Sequence, residues 1–122
     1  MTSIAEPAYI AAVLMAYIDL PDTPLRTGPR DQWLARQLYE QGVPLSVVES
    51  ALLLASVRRL TRGPDLPPLS PIRSLAYFQP VISELQQQPL PTGYVDYLRL
   101  KLRKAADALP AAVQKTTFSG DR

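Results

Sequence analysis

Thirteen prolines and five glycines cut this 122-residue chain into short segments, and that punctuation restricts its fold more than any other feature. Proline has no N–H and a fixed φ, so it suits the first turn of a helix and otherwise bends or ends one. Between the breaks, apolar residues recur at three- and four-residue steps, which is the helical period. No segment alternates with period two for long enough to make a strand. The pattern predicts an all-α chain, a compact bundle of about five helices near residues 4–18, 29–41, 44–62, 71–87 and 93–109. Residues 1–109 read as one helical domain, and residues 110–122, which have no apolar period, as a flexible tail.

The boundaries come from local chemistry. Ser3 and Glu6 have the spacing of a capping box, and Pro7 falls in the first turn that follows. Ile10, Val13, Leu14 and Tyr17 then form a stripe, and the run Pro21 to Pro24 predicts an extended linker. Thr27-Gly28-Pro29 opens a second helix through Trp33, Leu34, Gln37 and Leu38, and Gly42 provides a left-handed stop. The third helix starts near Pro44 and runs through Leu45, Val48, Ala51, Leu52 and Ala55 to about Leu60. It is apolar on nearly every side between Ala51 and Val57, which predicts the central, most buried helix. After a proline-rich loop from Gly63, Ser70 reads as a cap and Pro71 as the start of a fourth helix. Pro80 falls inside that helix and clashes with the carbonyl of Ala76, so a kink or a break near Phe78 is predicted. Thr92 reads as the cap of the fifth helix, with Tyr94, Leu98, Leu102 and Ala105 on one face.

Little in the composition favours catalysis. The chain has no histidine and no cysteine, so the usual general base, thiolate nucleophile and soft metal ligands are missing. The closest carboxylate pairs, Asp19 with Asp22 and Glu40 with Glu49, fall at helix ends and linkers, where acids serve as caps. No HExxH, Walker-type, GxGxxG or GxSxG pattern occurs. The chain therefore reads as non-enzymatic and without a cofactor. Lack of cysteine suits a reducing, cytoplasmic setting. The apolar run Tyr9–Leu20 is too short to span a bilayer and follows Glu6 rather than a basic segment, so no membrane partner is expected.

Charge is unevenly placed. Residues 1–60 carry five basic and six acidic side chains, a net of −1, and residues 61–122 carry eight and five, a net of +3. In the fifth helix Arg99 and Arg103 are i, i+4 neighbours, and Tyr97, Lys101 and Lys104 form an adjoining strip. A ring beside lysines and arginines can hold a nucleic-acid backbone and stack a base; the same pattern also describes an ordinary solvated face. Arg58, Arg59 and Arg62 crowd the end of the third helix. With Arg73 they read either as a fork-like phosphate site or as caps on the last carbonyls. Trp33 and the i, i+4, i+8 stripe Tyr77, Val81 and Leu85 read as packing anchors rather than a ligand platform.

The layout from about Tyr17 to Leu90 resembles the DnaD-type domain of bacterial and phage replication-initiation proteins. The matching pieces are Pro29–Gly42, then Val43-Pro44-Leu45-Ser46-Val47-Val48 leading to Ala51 and Ala55, and last Tyr77-x-x-x-Val81-x-x-x-Leu85. That family carries Tyr-x-x-x-Ile-x-x-x-Trp in the last piece, so Leu85 replaces a tryptophan, and Pro80 is a further departure. The resemblance implies a small helical module that binds DNA, often single-stranded, and assists primosome assembly. In that family the region after the motif helix contributes to DNA contact, which here is the fifth helix and the tail. The resulting expectation is a DNA-binding accessory protein of replication or of a mobile element, working mainly through the phosphate backbone of single- or double-stranded DNA. A larger protein of such a complex is the expected further partner. The alternative is an interaction adaptor or homo-oligomer, suggested by an apolar third helix that a chain of this length struggles to cover.

Overall fold

A helix that is apolar all round needs neighbours on all sides, and the third helix has them. The computed structural model describes residues 4–62, 65–67 and 69–108. Within them α1 spans Glu6–Ile18, α2 Pro29–Glu40, α3 Leu45–Leu60, α4 Gln79–Gln87 and α5 Tyr94–Asp107, with a 3₁₀ turn at Leu75–Phe78 before α4. The all-α expectation holds, and no strand occurs among the described residues. α3 packs against α1, α4 and α5, while α2 closes on α1 and on the 3₁₀ turn. Val48, Ala51, Leu52, Leu54, Ala55 and Val57 of α3 are all buried, while Leu53 is half-buried and lines a surface cleft. Within Leu52–Val57, the stretch on which the adaptor alternative rests, only Leu53 keeps part of its apolar surface open. No helix among the described residues is long and apolar enough to cross a membrane. The tail expected at residues 110–122 lies outside the described residues.

α1 buries Tyr9, Val13 and Tyr17 at four-residue steps. Its N-cap is Ala5 and Glu6 is its first residue; Ser3, expected as the cap, lies outside the described residues. Glu6 instead pairs with Arg36 of α2 at 3.2 Å, an exposed contact of small worth. The Tyr9 hydroxyl donates to the Val43 carbonyl at 2.7 Å, and its ring meets Tyr39 edge-on. Gly42, with φ of 76°, ends α2 as expected. The amides of Val43 and Gly42 donate back to the carbonyls of Leu38 and Tyr39, the paired bonds of a Schellman motif.

The segment after α1 is a turn, not the extended linker expected of two prolines. Thr23 Oγ1 donates to the carbonyls of Leu20, at 2.7 Å, and Tyr17, at 3.1 Å, which pulls the chain back over the helix end. Pro29 begins α2, and Asp31 in its first turn is buried. One Asp31 oxygen accepts the Gly28 N–H and the other the Leu75 N–H, both at 2.9 Å. A single carboxylate thus satisfies orphan donors at the starts of two helices and joins them.

The fourth helix starts later than expected. Ser70 does not cap it and Pro71 does not begin it; the chain stays irregular to Ser74, and a 3₁₀ turn then leads into α4. Pro80 is the second residue of α4, where an N–H would have no partner in the helix. The proline resolves as a break rather than a kink. The 3₁₀ turn has three residues per turn and rotates the face that follows it. Leu75, Phe78, Ile82 and Leu85 are buried, while Val81 is half-buried and Tyr77 lies on the surface. Of the expected stripe Leu85 is core and Val81 packs against it, while Tyr77 is exposed. Trp33 is likewise a correction: it is 60% exposed, because Leu34, Ala35 and Leu38 take the inward face of α2. α5 buries Leu98 and Leu102 but leaves Tyr94 exposed, and its cap is Gly93 at φ of 86°, not Thr92.

The Tyr17 hydroxyl is buried with no hydrogen-bond partner. Burial, with a smaller contribution from the Asp31 charge, pushes its pKa up from 10.0 to about 12. The unfolded chain titrates this group first, so the stability it carries is full below pH 10 and is lost as pH rises towards 12. Tyr17→Phe is expected to leave stability at neutral pH unchanged or raise it by about 1 kcal/mol. It should also make the loss between pH 8 and pH 11 shallower. Urea unfolding at both pH values checks both outcomes.

Candidate nucleic-acid interface

The end of α3 binds the chain to itself. Arg58 donates through both terminal nitrogens to Glu84 of α4, at 2.8 and 2.6 Å. This fork raises the Arg58 pKa and holds the Glu84 carboxyl below its usual value. Arg59 is buried, with Nε donating to Asp22 Oδ2 at 2.9 Å and Nη2 donating to the same oxygen. Nη2 also donates to the Ser70 carbonyl at 2.5 Å, and Nη1 to the Tyr77 hydroxyl at 3.3 Å. Burial alone would lower the Arg59 pKa, but the bonds to Tyr77 and Asp22 outweigh it and leave the pKa raised. Asp22 reaches this position with φ of 64°, a left-handed conformation that aspartate tolerates better than most residues. Its own carbonyl accepts the Ile72 N–H at 3.2 Å.

The phosphate-fork expectation is therefore met in position and not in availability. Arg58, Arg59 and Arg62 surround one cleft of about 300 Å³ with Tyr77 and Val81. Two of the guanidiniums already hold carboxylates, and Arg62 donates to the Pro67 carbonyl at 2.8 Å. Arg73 is exposed and does not line that cleft. None of these donors reaches the last carbonyls of α3, so the arginines join that helix end to distant segments rather than cap it as their other reading expected.

α5 presents its charges outward. Burial of Leu98 and Leu102 sets its rotation, and the remaining residues divide between two flanks. On one flank the Tyr94 and Tyr97 rings lie 5.2 Å apart, tilted by 37°. The Lys101 ammonium sits 5.7 Å from the Tyr97 ring centre and 3.3 Å from its hydroxyl, and exposed Lys104 follows. On the other flank Arg99 and Arg103 border a cleft of about 530 Å³ between α5, α3 and the end of α1. Arg99 reaches Asp96 only at 3.6 Å. The strip read from sequence is thus real as a surface, while the two arginines face away from it. Sequence reading placed Tyr94 with the apolar face, although its three-residue spacing to Tyr97 could have placed it on the strip.

The same cleft brings Asp19 and Glu49 to its border. Of the carboxylates paired in the sequence reading, Asp22 holds Arg59 and Glu40 accepts from Gln37, while Asp19 and Glu49 border this cleft. Among the described residues no group of three or more potential metal ligands is brought together. No protein-family model matches the chain, and neither a curated protein nor a solved structure matches it significantly.

Removing one partner of a buried ion pair strands the other, a loss of about 3–5 kcal/mol. Arg59→Ala is expected to destabilise the chain by about that much in urea unfolding, and Arg58→Ala, at an exposed pair, by about 1 kcal/mol or less.

Proposed function

We propose that this chain is a non-enzymatic DNA-binding accessory protein of replication or of a mobile element, in keeping with the DnaD-type resemblance. The observation that carries the reading is the outer strip of α5, where the Tyr94 and Tyr97 rings lie beside Lys101 and Lys104 on an exposed flank. Exposed rings supply a face on which bases stack, worth about 1–3 kcal/mol each, and adjacent ammonium groups attract phosphates. The Lys101 contact already holds the Tyr97 ring in place, which lowers the ordering cost of stacking. Phosphate attraction and ring stacking carry no base-edge readout, so binding through the backbone with little sequence preference is expected.

Binding to labelled single- and double-stranded DNA, followed by fluorescence anisotropy at about 50 and 200 mM salt, is expected to weaken steeply with salt. Lys101→Glu with Lys104→Glu should abolish most of the binding and flatten its salt slope by about two phosphate contacts. Tyr97→Ala should weaken single-strand binding by about tenfold with little change in that slope. Salt-independent binding, or full binding by the lysine double variant, would remove α5 as the site.

A further inference from the structure

We propose that the cleft between the end of α1, α3 and α5 is the face through which two copies of this chain pair. Its apolar lining includes Leu20, Leu53 and Leu102, and its border is charged in both senses. Asp19, at the end of α1, and Glu49, on α3, contribute two carboxylates; Arg99 and Arg103, on α5, contribute two guanidiniums. Among the described residues Asp19, Glu49 and Arg103 make no ion pair, and Arg99 has only the exposed 3.6 Å contact with Asp96. Four charges thus border one apolar cleft without closing across it.

The distribution of sign selects the occupant. A polyanion drawn to Arg99 and Arg103 would bring its charge against Asp19 and Glu49, and a polycation would meet the reverse conflict. A partner carrying both signs is required, and a second copy carries both in matching number. A two-fold axis through the cleft sets the carboxylates of each copy against the guanidiniums of the other, so the surface is complementary to itself. Apolar area is at hand beside the charges. Met15, one helical turn before Asp19, is 62% exposed, and Leu53 of the lining is half-buried. A stable interface needs about 800 Å² per partner, roughly a tenth of the 7889 Å² surface. The Tyr97–Lys101–Lys104 strip lies on the opposite flank of α5, so pairing would leave it open on both copies. The inference does not depend on the nucleic-acid reading.

Sedimentation velocity of the full chain over about 5–500 µM is expected to show a monomer–dimer equilibrium that weakens with added salt. Asp19→Lys with Glu49→Lys makes the border wholly basic, and Arg99→Glu with Arg103→Glu makes it wholly acidic. Each double variant alone should dimerise at least about tenfold more weakly, and an equimolar mixture of the two should associate within about threefold of the wild type. Circular dichroism of each variant, and recovery in the mixture, separate lost pairing from lost folding. A wild-type chain that stays monomeric through 500 µM overturns the proposal, as does dimerisation that neither double variant alters. DNA binding by the unaltered chain at concentrations where it is monomeric reports on the nucleic-acid reading separately.

Discussion

The buried guanidinium of Arg59 is the contact on which the arrangement of this chain depends. It lies at the end of the central helix and gathers segments that have no regular structure of their own. Asp22 comes from the turn after α1, the Ser70 carbonyl from the proline-rich connection, and the Tyr77 hydroxyl from the 3₁₀ turn. A charge withdrawn from water is tolerated only when its donors are satisfied, and here all three nitrogens find acceptors. The left-handed backbone of Asp22 is a small cost set against that requirement. Because the Tyr77 ring also lies 5.4 Å from the guanidinium carbon, the same contact sets the level at which the 3₁₀ turn meets α3.

The remaining placement follows from this anchorage. Asp31 ties the start of α2 to the start of the 3₁₀ turn, so the turn is held from both sides, and Phe78 is directed into the core against Tyr17. α4 then lies along α3, and the Arg58–Glu84 fork fastens the pair from outside. α5 reaches α3 through Leu98 and Leu102 alone among its fully buried residues, a narrow apolar stripe. A narrow stripe leaves most of a helix in solvent, which is why α5 can offer an aromatic and basic strip on one flank and a charged cleft on the other. Both proposed binding surfaces lie on this sparsely buried helix.

Much of the fold was legible from residue order. Gly42 as a left-handed stop, Pro29 as a helix start and α3 as the buried centre each rest on a local rule, and each is found. The failures share a cause. Trp33 does not pack inward and Tyr77 anchors Arg59 from the surface rather than from the core, although aromatic residues at helical spacing usually face inward. Which face of α2 turns inward was decided by Leu34, Ala35 and Leu38, and which face of α4 by a 3₁₀ turn whose rotation no spacing rule foresees. The arginine cluster failed as an open phosphate site for a related reason. Its acceptors, Asp22 and Glu84, lie 37 and 26 residues away in sequence.

The sequence by itself determined an all-helical chain, broken at its prolines and organised around one apolar helix, with its surplus positive charge in the second half. These are consequences of backbone restriction and helical period, which act within a few residues. Only the tertiary structure decided that three arginines with the same sequence reading become an internal staple, that Trp33 stays in solvent, and that Asp19 and Glu49 share a cleft with Arg99 and Arg103. Those outcomes depend on which groups meet across the packed helices, and the pairing of distant charges is set by packing rather than by order along the chain.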